Sequence, residues 1–123
     1  MIASSPVNST ASSLRAYLEL FQGRIAEAER DLERARTVDP LVPRYYERLG
    51  RIAIVRGEPR RALALFARQQ REEHVPEIDL EMAKIHQGAG DRGAAIRAYR
   101  RAARDPSLAG EAEDSLRALR AGR

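Results

Sequence analysis

The chain has 123 residues, 33% of them charged, with 22 basic against 18 acidic residues for a net charge of +4. The absence of cysteine excludes a disulfide framework, a thiolate metal site and a cysteine nucleophile. No apolar run approaches the roughly 18 residues of a membrane span, and the N-terminus has neither the basic start nor the apolar stretch of a signal peptide. The expectation is a soluble, cytoplasmic module. Hydrophobic residues make up 43% of the chain, but only four Tyr and two Phe are present. Its core must therefore be built mainly of Ala, Leu, Ile and Val.

Residues 1–10 are polar, Ser-rich and without periodicity, which predicts a flexible lead. From residue 11 onward apolar residues recur at helical spacing. Leu14, Leu18, Phe21 and Ile25 step by four, three and four, and Leu49, Ile52, Ala53 and then Leu63, Leu65, Phe66 continue the pattern. Ala, Leu, Arg and Glu, all good helix formers, dominate. Glycines end the periodic stretches, and Pro40, Pro76 and Pro106 mark new starts. The predicted helices are 11–22, 24–38, 43–56, 58–72, 76–88, 92–104 and 109–121.

The punctuation itself is periodic. Gly23, Gly57, Gly90 and Gly122 are separated by 34, 33 and 32 residues. Five residues after each of the first three comes an alanine (Ala28, Ala62, Ala95), and four later a bulky residue (Leu32, Phe66, Tyr99). A small residue lets two antiparallel helices approach, and a large one fills the gap a turn further on. A period near 34 with a turn inside each unit is the mark of a helix–turn–helix array.

On these residues the chain resembles the tetratricopeptide repeat family. The middle repeat matches best, through Tyr46, Leu49-Gly50, Ala53, Gly57, Ala62 and Phe66. The first repeat offers Gly23, Ala28, Leu32, Ala35 and Asp39-Pro40, although Arg15 and Glu19 fall where apolar residues are expected. The third has Met82-Ala83, Gly90, Ala95, Tyr99, Ala102 and Asp105-Pro106, with His86 in place of an aromatic. The resemblance implies an all-α solenoid of antiparallel helix pairs, here a single domain over 11–123. Its repeats would span 11–42, 43–75 and 76–106. Residues 107–121 form a closing helix or, alternatively, the first helix of a fourth repeat.

Catalytic constellations are missing. Neither His74 nor His86 has a His or carboxylate four residues away, as a helical metal pair requires. A solvated loop accounts for His74 and a packing position for His86. The glycines around Gly88-Ala89-Gly90 do not follow a strand, so they are not read as a phosphate loop. No enzyme activity, cofactor or metal is expected.

Charge falls in blocks: a net +6 over residues 44–71, −5 over 72–81 and +4 over 82–105. Arg44, Arg48 and Arg51 precede Gly57 by 13, nine and six residues, and Glu77, Glu81 and Lys84 stand at the same distances before Gly90. If neighbouring first helices stack side by side, Arg44 faces Glu77 and Arg48 faces Glu81, leaving Arg51 and Lys84 free for a ligand. In the family this face lines a peptide groove, which the resemblance extends to Tyr17. The chaperone-tail clamp subtype is not expected, because Ser13, Tyr17, Arg48, Glu77 and Glu81 occupy its positions and two acids replace required bases. Leu14, Leu18 and Phe21 suggest a self-association face, hence a homodimer; alternatively residues 1–10 fold over this side or it is core. A third reading is a detached array from a larger protein. The expected function is a scaffold or adaptor for a partner protein or peptide. The alternative is a nucleic-acid binder using Arg60, Arg61, Arg68, Arg71, Arg100, Arg101 and Arg104.

Overall fold

A computed structural model describes the backbone of residues 6–122 and the side chains from Gln22 to Gly122. Six helices are present: α1 (Pro6–Val38), α2 (Tyr45–Val55), α3 (Pro59–Glu72), α4 (Pro76–Gly88), α5 (Arg92–Ala102) and α6 (Pro106–Gly122). Among the described residues there is no strand, as the periodicity requires. The chain divides into two units, residues 1–43 and 44–123, where a single domain over 11–123 is expected from the sequence.

The first unit departs from expectation. Its helix α1 runs for 33 residues straight through Gly23, so the two helices expected at 11–22 and 24–38 are one. It also takes in residues 6–10 of the expected lead; residues 1–5 lie outside the described region. The reason lies in the residues just C-terminal to each glycine. Gly57 and Gly90 sit at φ +76 and +82, and a helix start comes directly after each. Pro59 opens α3, and the Asp91 carboxylate caps α5 by accepting from the Ala94 N–H at 3.1 Å. Gly23 precedes Arg24-Ile25-Ala26-Glu27, with neither cap nor proline. It therefore costs α1 only about 1 kcal/mol of propensity and interrupts nothing. Ala28 and Ala35, expected to be packed, are accordingly exposed. The helix ends at Val38, where Asp39 Oδ1 accepts from the Leu41 N–H and Pro40 blocks continuation.

The second unit keeps to the expected plan. Both of its hairpin turns close in the same way. Glu58 N–H donates to Ala53 O and Gly57 N–H to Ile54 O, and one repeat later Asp91 N–H donates to His86 O and Gly90 N–H to Gln87 O. This is a Schellman closure, which needs a left-handed residue at the glycine. Each hairpin then packs small against large. Ala62 and Phe66 are fully buried, and the Phe66 ring lies against Gly50. One repeat on, Ala83, Ala95 and Tyr99 share a core cluster, with Tyr99 Oη donating to Gln87 Oε1 at 2.7 Å. Val75 and Ile78 carry the first hairpin's core, with Phe66, into α4.

Helix α6 repeats only half of what α4 does. Its Ala112, Leu116 and Leu119 lie 34 residues after Ile78, Met82 and Ile85, and they pack on the second hairpin as those pack on the first. The residues through which α4 meets its own partner helix are Leu80 and Ala83. Their counterparts on α6 are Asp114 and Arg117, an exposed pair bonded to each other. Asp105 starts α6 by accepting from the Ser107 hydroxyl and N–H, which hold its carboxyl below the usual carboxylate range.

Stability should respond at two positions. A methyl group at Gly50 would stand 2.4 Å from the Phe66 ring, so Gly50→Ala should cost about 1–3 kcal/mol in urea denaturation. Because folding lowers the Asp105 pKa, its contribution is present above the unfolded value and is lost as pH falls through the folded one. Ser107→Ala should move that titration upward in carboxyl NMR and weaken the acid-side dependence of stability.

Candidate functional site

Helices α2, α4 and α6 form one face of the second unit. Ala53 and Ile54 of α2 pack with Ile78, Met82 and Ile85 of α4, and α6 joins beyond. Of the residues expected to pair across this face, only Glu81 does so, and one turn out of register. Arg51 rather than Arg48 reaches Glu81, with Nη1 to Oε2 at 3.8 Å. Lys84 Nζ meets Glu111 of α6 at 3.3 Å. Helical side chains lean toward the N-terminus of their own helix, and a long base leans further than a carboxylate. A base therefore meets an acid on the next helix nearer its N-terminal end.

Glu47, which the sequence reading leaves without a role, organises the first of these bases. It is buried, yet its carboxylate accepts from Arg51 Nε at 3.1 Å and lies 3.6 Å from Arg44 Nη1. Its backbone N–H donates to Gln69 Oε1 at 3.2 Å, which ties α2 to the buried amide of α3. Arg44 thus pairs within its own helix start and not with Glu77, and its backbone stands in the left-handed region at φ 54. Arg48 and Glu77 are exposed and have no ion-pair partner among the described residues. Arg51 and Lys84, expected to be free, are both engaged. Tyr17, Leu14, Leu18 and Phe21 lie outside the residues whose side chains are described.

Two hollows open beside this ladder, and each is assembled from the same repeat positions. The first, about 360 Å³, lies between Ile54, Gly57 and Pro59 of the first hairpin and Lys84, Ile85 and Gly88 of α4. The second, about 310 Å³, lies between Gln87, Gly90 and Arg92 and the α6 residues Ala118, Leu119 and Gly122. The hairpin side shifts by 33 residues from one to the other and the helix side by 34. Glycines at the rims leave the space, and Ile54, Ile85 and Leu119 supply apolar walls. Gly57, Gly88 and Gly90 are expected from the sequence only as turn residues; their shared spacing is the signal of the pair.

The arginines of the alternative nucleic-acid reading are in part engaged. Arg68 bonds Glu72 through Nε at 3.1 Å and lies over the Tyr46 ring, 4.6 Å from its centroid. Arg61 pairs with Glu58, and Arg101 turns inward to Asp79 at 3.4 Å. His74 is not merely a solvated loop residue, since its Nε2 lies 2.7 Å from Asp79 Oδ2. His86 is half-buried within α4. Among the described residues no group of three metal-ligating side chains converges, and no helix is long and apolar enough to cross a membrane.

An all-α chain whose second unit stacks hairpins through matching positions is a helical repeat protein. Solved structures with this fold include PcrH, crystallised with the chaperone-binding region of PopD. It matches at TM-score 0.67 and 21% identity over 98% of each chain. The Yersinia enterocolitica type III secretion chaperone SycD, in complex with a peptide of the translocator YopD, matches at TM-score 0.69 and 16% identity. That match covers 97% of this chain and 96% of SycD. At these identities the likeness establishes the fold. No known protein-family pattern and no curated protein sequence matches the chain.

The shifted register has a measurable consequence. In urea denaturation, Arg51→Gln and Glu81→Gln should couple by about 0.2–1 kcal/mol, the range of a partly exposed pair. Arg48→Gln combined with Glu81→Gln should be additive.

Proposed function

We propose that this chain is a scaffold or adaptor that holds an extended segment of a partner protein along the face of α2, α4 and α6. The observation that carries this reading is the pair of apolar hollows repeated at equivalent positions. Neighbouring helices on one face lie about 8–10 Å apart. A segment in the extended polyproline II form, with three residues per turn and a rise of about 3.1 Å, brings side chains three residues apart to one side at about the same spacing. The geometry suits a segment with two apolar side chains three residues apart, one entering each hollow. The Arg51–Glu81 and Lys84–Glu111 pairs then border the segment and keep the intervening surface polar.

The structural neighbours support the reading, since PcrH and SycD are both seen with peptide segments of other proteins. So does the resemblance to tetratricopeptide repeats. In this reading Arg44, Arg48, Arg51, Glu77, Glu81 and Lys84 belong to the groove, with Tyr17 added by the resemblance, and α6 serves as the closing helix. The work is binding without a chemical step, and the expected place is the cytoplasm.

The test is selection from a randomised peptide library displayed against the full chain. Apolar pairs spaced by three should be enriched. Burying one leucine side chain contributes about 1.5–3 kcal/mol. Gly88 has nothing within 4 Å of an added Cβ. Gly88→Leu should therefore fold, fill the first hollow and weaken a selected peptide by roughly tenfold or more. No enrichment, or affinity indifferent to Gly88→Leu, would remove this reading.

A further inference from the structure

A cavity of about 250 Å³ lies away from the two hollows, where the α3–α4 and α5–α6 connections come together. Its residues are His74, Asp79, Arg101, Arg104 and Asp105, with Pro76 and Pro106 at its edges. Comparison with the preceding repeat explains why it differs there. Tyr46 stands 33 residues before Asp79, Arg68 before Arg101, and Glu72 before Asp105. In the earlier repeat the arginine lies over the Tyr46 ring and bonds the glutamate four residues on. In the later one a short carboxylate replaces the ring, and Arg101 turns inward to it. Asp105 is instead committed to Ser107 at the start of α6.

Asp79 is only 2% exposed, and its carboxylate is fully engaged. Oδ1 accepts from Gln70 Nε2 at 3.1 Å and from Arg101 Nε at 3.4 Å, and Oδ2 faces His74 Nε2 at 2.7 Å. The Asp79 carboxylate is thus satisfied by groups other than Arg104, and Asp105 Oδ1 accepts from the Ser107 N–H and hydroxyl. The donors left over are the Nη groups of Arg101, which bonds Asp79 through Nε, and the guanidinium of Arg104; both residues line the cavity. Arg104 is exposed and its side chain has no partner among the described residues. A planar guanidinium held by a buried carboxylate is preorganised for a second, bidentate acceptor.

We propose that this cavity is an oxyanion site, taking a carboxylate or a phosphate group between the guanidinium groups of Arg101 and Arg104 beside the His74 ring. Asp79 is the positioning residue that fixes Arg101 and His74 in the wall. The site is separate from the peptide face and does not depend on the function proposed for it.

Inorganic phosphate and acetate, titrated separately into isotope-labelled full-length chain at constant ionic strength, test the proposal by NMR. Saturable shifts should appear at the Arg101 and Arg104 side chains and the His74 ring. The tighter of the two ions identifies the source as a phosphate or a carboxylate group. Arg104→Gln, which removes no contact within the fold, should weaken binding by roughly tenfold. Asp79→Asn should weaken it while shifting the Arg101 Nε–H signal before any ion is added. Shifts that fail to saturate, that spread equally over the other arginines, or that survive Arg104→Gln would overturn the proposal.

Discussion

The second unit depends on one steric constraint: a residue without bulk must face an aromatic ring inside each hairpin. Gly50 meets Phe66 so closely that a single methyl group would overlap the ring. Ala83 shares its core cluster with Tyr99, at the same two positions one repeat later. That contact sets how near the two helices of a hairpin lie. The next helix then packs on both, through Ile78, Met82 and Ile85 in one case and Ala112, Leu116 and Leu119 in the other. Because the same distances recur, the spaces left between units recur too. The two hollows on the face of α2, α4 and α6 are consequences of this packing rule combined with glycine at the turns.

Charge is laid over this framework without determining it. Arg51 and Lys84 are close to half exposed, so their pairs with Glu81 and Glu111 are each worth on the order of 1 kcal/mol at most. Their effect is on the character of the surface. Polar pairing between the helices leaves the apolar hollows as discrete openings on a charged face. Glu47 is the exception, because it is buried and held from three sides by Arg51, Arg44 and Gln69. It joins the face of α2, α4 and α6 to the interior of the first hairpin.

Much of this was legible in the sequence because repetition reports on packing. The glycine period, the alanine five residues on and the bulky residue after it correctly placed α2 to α5. The turn expected at Gly23 was not there, because a glycine alone does not stop a helix. Gly57 and Gly90 succeed through the proline or capping aspartate beyond them, and Gly23 has neither. The ion-pair register was missed for a different reason. Counting residues back from a glycine gives the level of each Cα, whereas long side chains lean along the helix and meet a turn away. The hollows were invisible because they are defined by missing side chains. Asp79 was hidden within an acidic block and read as one charge among five.

Asp79 also shows how a repeat protein acquires a feature that its period does not predict. In the middle repeat the arginine of the second helix lies over an aromatic ring, an arrangement satisfied within the repeat. Exchanging the ring for a carboxylate buries a charge, which is tolerated only where donors surround it. Gln70, His74 and Arg101 supply them, and two of these come from outside the hairpin that contains Asp79. The substitution therefore binds successive repeats together with polar contacts where the neighbouring repeat has an aromatic stack. It also leaves unfilled volume lined by Arg101 and Arg104. Departure from the repeat pattern at a buried position thus forces compensating changes around it. Those compensations are where a repeat array gains chemistry that its shared packing does not supply.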